Sequence, residues 1–355
     1  LIAPRLRSRC NTWLAGASLC LAVNLCLIAN GVQAGDYHSR DDVTAFAQEM
    51  QQRHGFEQQQ VLALLAQADK KQKILDAIAR PHEKTMLWKD YRKIFITDTR
   101  INGGVDFWLA HTDDLKIISE RYKVAPEMIV AIIGIETSYG KNTGSYRVLD
   151  ALATLTFDYP PRAAFFRQQL EEFLLLAREQ KQDALTLTGS YAGAMGYGQF
   201  MPSSYRNFAV DFNGDGFADI WNNKQDAIAS VAFYFHKHGW KAGEPVMARA
   251  HVTNGFDEEL LGKGFKPKTS LLDLASRGVA PVVDGWDMNR KAVLTRQEGD
   301  YGTEYWLGFD NFYTITRYNN SSMYAMSAQQ LSEAIAAQYA VKLKQSAGIA
   351  AQANE

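Results

Sequence analysis

Between Asp41 and about Leu109, apolar residues recur at the spacing of one helix face. Val43, Phe46, Ala47 and Met50 stand at i, i+3, i+4 and i+7, and Val61, Leu64, Leu65 and Ala68 repeat the pattern. Gly55 and Pro81 punctuate these helices. A helical part over 35–110 is expected, with no chemistry visible in its periodicity. From His111 to Trp240 the pattern stays helical but reads as more buried. Pro126 suits a first helical turn, and Met128 to Ile135 is apolar on every face, which predicts a central buried helix. A second helix should start after Pro160-Pro161 and run through Phe165, Phe166, Leu170, Phe173 and Leu174. Beyond Trp240 the texture turns to Gly, Pro and Thr. Short alternating stretches at Ala292 to Arg296, Thr303 to Leu307 and Phe312 to Thr316 predict strands of a small β-rich part over 241–312. The chain then returns to the core over 313–340, with a last helix from Ser327 to Tyr339. A flexible tail is expected over 341–355, Ala/Gln/Ser-rich from Gln345. The fold class is α+β, mainly α.

The first 34 residues differ from the rest. Arg5, Arg7 and Arg9 precede an apolar run from Trp13 to Ala29, and Val32-Gln33-Ala34 then precedes Gly35, the layout of a cleavable secretory signal. A transmembrane anchor is the alternative, but Asn24 interrupts the run and small residues follow it. Lipid anchoring at Cys20 or Cys26 is disfavoured by Leu19 and Leu25, since the residue before an acylated cysteine is normally small. Export to the periplasm is the expectation. All three cysteines, Cys10, Cys20 and Cys26, lie in the signal, so the mature chain would have no disulfide and must rely on its core. The whole chain, 355 residues of which 46% are hydrophobic, is long and apolar enough to build one. Cleavage removes three arginines and no acids, moving the formal net charge from −1 to −4, which gives no sign of a nucleic-acid partner.

Glu136 ends the apolar helix, in Gly134-Ile135-Glu136-Thr137-Ser138-Tyr139-Gly140. A carboxyl whose preceding turns are apolar is partly desolvated, which favours its neutral form and suits it to donate a proton to a glycosidic oxygen. A solvated glutamate at a helix end is the plainer reading of that segment alone. The segment from Gly189 to Tyr205 adds glycines that let backbone approach a ligand, and Tyr191, Tyr197 and Phe200 as flat faces for sugars.

A helix ending in Glu-Thr-x-x-Gly, followed later by Gly-Ala-Met-Gly-x-x-Gln-Phe-Met-Pro-Ser from Gly193 to Ser203, resembles the lytic transglycosylases. The full spelling is similar to the membrane-bound lytic transglycosylase B branch. Further matches run from His54-Gly55-Phe56 through Tyr91-Arg92-Lys93-Ile94-Phe95 and Phe157-Asp158-Tyr159-Pro160 to Arg317-Tyr318-Asn319. The resemblance implies a lysozyme-like core flanked by a helical domain and a small β domain. It also implies cleavage of the β-1,4 bond after N-acetylmuramic acid in peptidoglycan glycan strands, without water, to leave 1,6-anhydromuramic ends. Glu136 would protonate the leaving oxygen and then, as carboxylate, take the proton of the sugar's C6 hydroxyl, with no catalytic cofactor. Tyr91, Ser190, Gln199, Tyr318, Asn319 and Tyr324 would position the substrate, beside Tyr191 and Phe200 as the aromatic faces already noted. For those six the alternative is a buried polar group bonded to backbone, most evenly matched for Tyr91 and Tyr324. A two-carboxyl glycosidase would need a partner for Glu136, and Asp150 and Asp158 read equally well as a helix start and a turn cap. A water-using muramidase and a non-catalytic wall-binding scaffold are the competing functions. A monomer is expected, and the identity of any wall-synthesis protein it meets is open.

Asp211-Phe212-Asn213-Gly214-Asp215-Gly216-Phe217 places oxygen donors at loop positions one, three and five and glycine at six, as in an EF-hand calcium loop whose seventh residue gives its carbonyl. The twelfth position is Asn222 instead of glutamate, so Asp226 is the candidate final carboxylate, as the family's EF-hand-like loop also implies. The expected ligands are Asp211, Asn213, Asp215, Phe217 and Asp226, for a structural Ca2+. A metal-free Asx-turn loop is the alternative. His236 and His238 lack further ligands at zinc spacing and read as a solvated helix end.

Overall fold

The computed structural model describes residues 35–79, 86–262 and 264–352, with side chains as far as residue 346. The expected signal over 1–34 and Pro81 lie outside these residues. The first helices are α1 (Asp41–His54), α2 (Gln58–Leu65), α3 (Gln72–Ile78), α4 (Trp88–Phe95) and α5 (Asp98–Ala110). Val43, Phe46, Ala47 and Met50 are the buried residues of α1, so the stripe read from the sequence is the face turned to the core. Thr97 caps α5 by accepting a hydrogen bond from the Arg100 amide.

Next come α6 (Thr112–Tyr122) and α7 (Pro126–Thr137). Every residue of α7 from Met128 to Ile135 is buried, because α5, α6, α11 (Lys224–Lys237) and α14 (Ser322–Gln352) all pack against it. Between them run α8 (Val148–Phe157), α9 (Ala163–Glu179) and α10 (Pro202–Phe208). Strands β1 (Tyr146–Arg147) and β2 (Thr188–Gly189) pair antiparallel beside them.

The later part holds β3 (Met247–Val252), β4 (Thr269–Ser270), α12 (Leu271–Ser276), β5 (Val279–Pro281), β6 (Lys291–Gly299) and β7 (Gly302–Gly308). The strands form an antiparallel sheet in the order β4-β6-β7-β3-β5. Leu294 faces Leu307 in register, and both join Leu271, Leu274, Val279 and Phe309 in a small core of their own. The long β6-β7 hairpin reaches the helical part. Asp300 at its tip lies 3.3 Å from Lys93 and 3.6 Å from Arg92 on α4, and Gln297 donates to the Ser322 hydroxyl at 2.8 Å. The sheet therefore braces the elements that carry Tyr91 and Tyr324.

Two expectations fail here. Phe312 to Thr316 is not a strand but the middle of α13 (Asp310–Tyr318). Phe312 and Ile315 fit a helix face at i, i+3 as well as a short alternation, and burial of Asn311 against the backbone of Lys241 and Glu244 fixes the helical choice. The last helix does not stop at Tyr339. It runs from Ser322 to Gln352, through the segment read as a flexible tail, since Ala, Gln and Lys are good helix formers.

Candidate active site

Glu136 is half-buried in the last turn of α7. The helix stops because Ser138, Tyr139 and Gly140 adopt positive φ in succession, at 51°, 64° and 87°. For tyrosine this is an uncommon conformation, sustained only when the surroundings fix it. Here they do. The Tyr139 hydroxyl donates to the Arg100 carbonyl at 2.6 Å, and its ring lies on Gly134, where an added Cβ would stand 2.6 Å from the hydroxyl oxygen. Gly140 is needed twice over, for its φ and because a Cβ would meet the Tyr197 ring at 2.2 Å.

The buried Thr137 clasps the two motif segments together. Its hydroxyl lies 3.0 Å from the Tyr197 carbonyl and accepts the Gly140 amide at 3.0 Å. Arg100 donates to the Gly134 carbonyl and, at 3.4 Å, to that of Ile135, setting a cation on the negative end of α7. Burial lowers the Arg100 pKa from its ordinary value, but a guanidinium stays charged at neutral pH. Thr137, Tyr139 and Arg100 were not singled out in the sequence. The first two lie inside the Glu136 motif, and Arg100 carried no local signal.

Tyr324, from the start of α14, donates to Glu136 Oε1 at 2.6 Å. Burial and then the negative field of Glu136 push its phenol well above the ordinary tyrosine value, so it is a permanent donor at neutral pH. The fields of Tyr318 and Tyr91 also reach Tyr324, so both stand near it. Tyr91 is buried on α4 with its ring 5.3 Å from that of Phe95. Tyr318 is raised in the same way, by desolvation first and Glu136 second, and its hydroxyl donates to the Gly198 carbonyl at 2.5 Å. Asn319 follows it, exposed at the end of α13.

The glycine-rich segment is shaped by two of the expected residues. The Ser190 hydroxyl accepts the Ala194 amide at 3.0 Å, and Gln199, at φ 49°, donates to the carbonyls of Thr143 and Gly196 at 3.1 and 3.0 Å. Of the three rings read as sugar-facing, Tyr191 alone is exposed, at 42%. Phe200 and Tyr197 are buried, Phe200 between Tyr234 and Tyr318, because the segment folds back through the bridge Met195 makes with Phe200. A cleft of about 460 Å³ opens beside the segment, lined by Thr143, Tyr146, Ser190, Tyr191 and Gln199 among others.

Asp150 and Asp158 are both committed elsewhere. Asp150 is buried and accepts from Arg147 at 2.7 and 3.0 Å and from the Asp69 amide. Asp158 accepts from Tyr37 at 2.8 Å, Lys70 at 3.0 Å and Arg40 at 3.2 Å, which together hold it below its ordinary pKa against the cost of burial.

In the acidic loop Asp211 accepts the amides of Gly214, Asp215 and Gly216, and Asp215 accepts that of Phe217 at 2.9 Å and the Asn213 side chain at 2.8 Å. Asp226, fully buried on α11, accepts the amides of Phe212 and Asp219 at 2.9 Å each, so it closes the loop. Burial, with the nearby Asp211 charge adding to it, raises its pKa. Among the described residues no three of His, Cys, Asp and Glu form a metal-holding group. The donor set does fit a hard cation that takes oxygen from carboxylates, an amide and a backbone carbonyl. His238 stacks on Tyr234 at 4.0 Å and bonds its carbonyl, while His236 bonds that of Tyr122, so neither points to a metal.

The model of the transglycosylase SLT domain matches residues 38–333. The chain belongs to that family. It is 44% identical over 311 residues to the membrane-bound lytic murein transglycosylase B of Escherichia coli strain K12, covering 85% of this chain and 84% of that one. The crystal structure of soluble lytic transglycosylase SltB1 from Pseudomonas aeruginosa matches with a TM-score of 0.79 and 53% identity, over 84% of this chain and 99% of the other. The Escherichia coli lytic transglycosylase Slt35 in complex with calcium matches with 0.78 and 44%, over 86% and 96%. SltB3 from Pseudomonas aeruginosa, in complex with NAG-NAM-pentapeptide, matches with 0.72 and 30%, over 82% and 78%. The fold is α+β and mainly helical, as in these enzymes. No helix among the described residues is long and apolar enough to cross a membrane.

Proposed function

We propose that this chain is a peptidoglycan lytic transglycosylase that cleaves the MurNAc-β-1,4-GlcNAc bond with Glu136 as its single acid/base. The observation that carries this is the Tyr324 bond to Glu136 at the end of a buried helix, in a chain of this family. In the first step the Glu136 carboxyl gives its proton to the glycosidic oxygen as the bond to C1 breaks. The C6 hydroxyl oxygen of the same muramic residue then bonds to C1 and its proton passes to the Glu136 carboxylate. The atoms balance without water, and the product is a 1,6-anhydro end. Tyr324 fixes the orientation of the carboxyl and steadies the charge left once the proton has gone. Tyr318, Ser190 and Gln199 shape the glycine-rich backbone, while Tyr191 and Asn319 are the exposed groups that meet sugar.

Engagement of Asp150 and Asp158 by Arg147 and by Arg40 and Lys70 favours the one-carboxyl scheme over a hydrolase with a second carboxylate. A structural calcium in the 211–226 loop is part of the proposal, held by Asp211, Asn213, Asp215, the Phe217 carbonyl and Asp226, away from the reacting bond. Bound there it supplies rigidity and no chemistry. The proposal includes a periplasmic location, reached through the cleavable signal over 1–34, and a monomeric state. Mass spectrometry of muropeptides released from purified sacculi tests the proposal. Anhydromuropeptides support it, and reducing muramic ends refute it in favour of a muramidase.

A further inference from the structure

Glycine weakens a helix interior, yet α5 carries Gly103 and Gly104 in succession. The ring of Tyr139 accounts for both. A Cβ on Gly103 would stand 2.9 Å from Tyr139 Cε2, and one on Gly104 would stand 2.6 Å from the Tyr139 hydroxyl oxygen and 2.6 Å from Ile335 Cδ1. Gly134 on α7 clears the other side of the same slot. Phe107 closes it, with its ring 5.7 Å from that of Tyr139. Positions 100, 103, 104 and 107 follow the i, i+3, i+4, i+7 spacing of one helix face, so the face that receives Tyr139 also presents Arg100. The half-buried guanidinium donates to the carbonyls of Gly134 and Ile135, the two residues before Glu136. It also stands 5.3 Å from the centre of the Phe95 ring, which lies 5.3 Å from the ring of Tyr91. The Tyr139 hydroxyl returns a bond to the Arg100 carbonyl, so the end of α7 and this face of α5 hold each other from both sides.

We infer that this face of α5 is the socket that sets the place of Glu136, and that Arg100 is a positioning residue for the acid, acting through the last turn of α7 and not on the sugar. This rests on the reading of Glu136 as the acid/base and adds which residues fix its geometry. The last carbonyls of a helix lack intrahelical partners, and a terminal turn left to water frays. Glu136 stands in that turn. A planar guanidinium reaching two successive carbonyls fixes the turn in direction and in rotation, where a point charge holds one of them. Taking a cation out of water costs free energy that an apolar side chain filling the same space would not incur. What offsets the cost is the hold on α7.

The test uses the full-length mature enzyme and three substitutions. Arg100→Met keeps the reach of the side chain and removes its charge and donors, Arg100→Lys restores the charge without the fork, and Tyr139→Phe removes only the hydroxyl. Misplacing a reacting group by a small distance costs on the order of 10²-fold, so Arg100→Met should lose roughly 10- to 100-fold in kcat on sacculi, with KM within about twofold of wild type. Arg100→Lys should fall between methionine and wild type, and Tyr139→Phe should lose kcat in the same sense. Glycan binding is measured in the Glu136→Gln background, where turnover does not consume the strand, and adding Arg100→Met there should leave the affinity unchanged. Wild-type kcat in Arg100→Met, a lysine variant no better than methionine, or weakened glycan binding overturns the inference. Should Arg100→Met fail to fold by circular dichroism, Arg100→Lys and Tyr139→Phe decide it, and wild-type kcat in both overturns it. Turnover retained by Glu136→Gln would instead refute the reading of the acid itself, and is distinguishable because that variant leaves Arg100 in place.

Discussion

Replacing Tyr324 by phenylalanine removes one hydroxyl and leaves the ring that is 2% exposed at the start of α14. What is lost is the 2.6 Å donor to Glu136 Oε1. A hydrogen bond to a charged partner contributes about 1.5–3 kcal/mol. The carboxylate is charged only after it has given up its proton, so the loss should fall on the chemical step. On that basis kcat should drop by roughly 10- to 150-fold at 1.4 kcal/mol per tenfold, with KM little changed. The assay is steady-state release of soluble muropeptides from sacculi, with circular dichroism and thermal melting to confirm that the variant is folded. A Tyr324→Phe enzyme that turns over at the wild-type rate would refute the argument, since the hydroxyl would then only fill space. A rise in KM at constant kcat would refute it too, and would move Tyr324 to substrate binding.

Three further outcomes follow from the same geometry. Millimolar calcium should raise the melting temperature, by about 2.7 kcal/mol of stabilisation where free calcium is one hundred times Kd, and Asp215→Ala should abolish the shift, because Asp215 is an exposed loop carboxylate whose loss spares the core. Asp158 is held below its ordinary pKa by Tyr37, Lys70 and Arg40, so its contribution to stability is present above the unfolded carboxylate range and is lost as pH falls through the folded value. Denaturant titrations at neutral and acid pH should therefore show Asp158→Asn less stable than wild type at neutral pH and nearly equal at low pH. Gly134→Ala puts a Cβ 2.6 Å from the Tyr139 hydroxyl, and the overpacking cost of about 1–3 kcal/mol should outweigh the helix propensity of about 1 kcal/mol gained, lowering both melting temperature and kcat.

The parts of the fold that were legible in the sequence are those set by local pattern. Met128 to Ile135 is apolar all round and forms the central buried helix, and the stretches at Ala292 and Thr303 pair as the β6-β7 hairpin. Phe312 to Thr316 misled because a five-residue run satisfies both periods, and the deciding interaction, Asn311 with the backbone near Lys241, lies 70 residues away in the chain. The same limit applies to the site. Glu136 stands out as a carboxyl at the end of an apolar helix, but its tyrosine partner is 188 residues distant, and no periodicity reports a contact of that range. Phe200 and Tyr197 carry the composition of a sugar platform and are buried instead, since the turn at Gly196 and Gln199 folds their rings inward. Arg100 and Thr137 act through backbone carbonyls, which leave no mark on the identity of their partners in sequence.

Mass spectrometry of the products of wild type and Glu136→Gln on the same sacculi decides whether one carboxyl group acts as both acid and base. Glutamine keeps the volume and can still accept the Tyr324 bond, but it cannot give and retake a proton. Wild type should release anhydromuropeptides, and turnover should fall by at least about 10⁴-fold in a folded, glycan-binding Glu136→Gln. Substantial residual cleavage by that variant, or reducing muramic ends from the wild type, would contradict it.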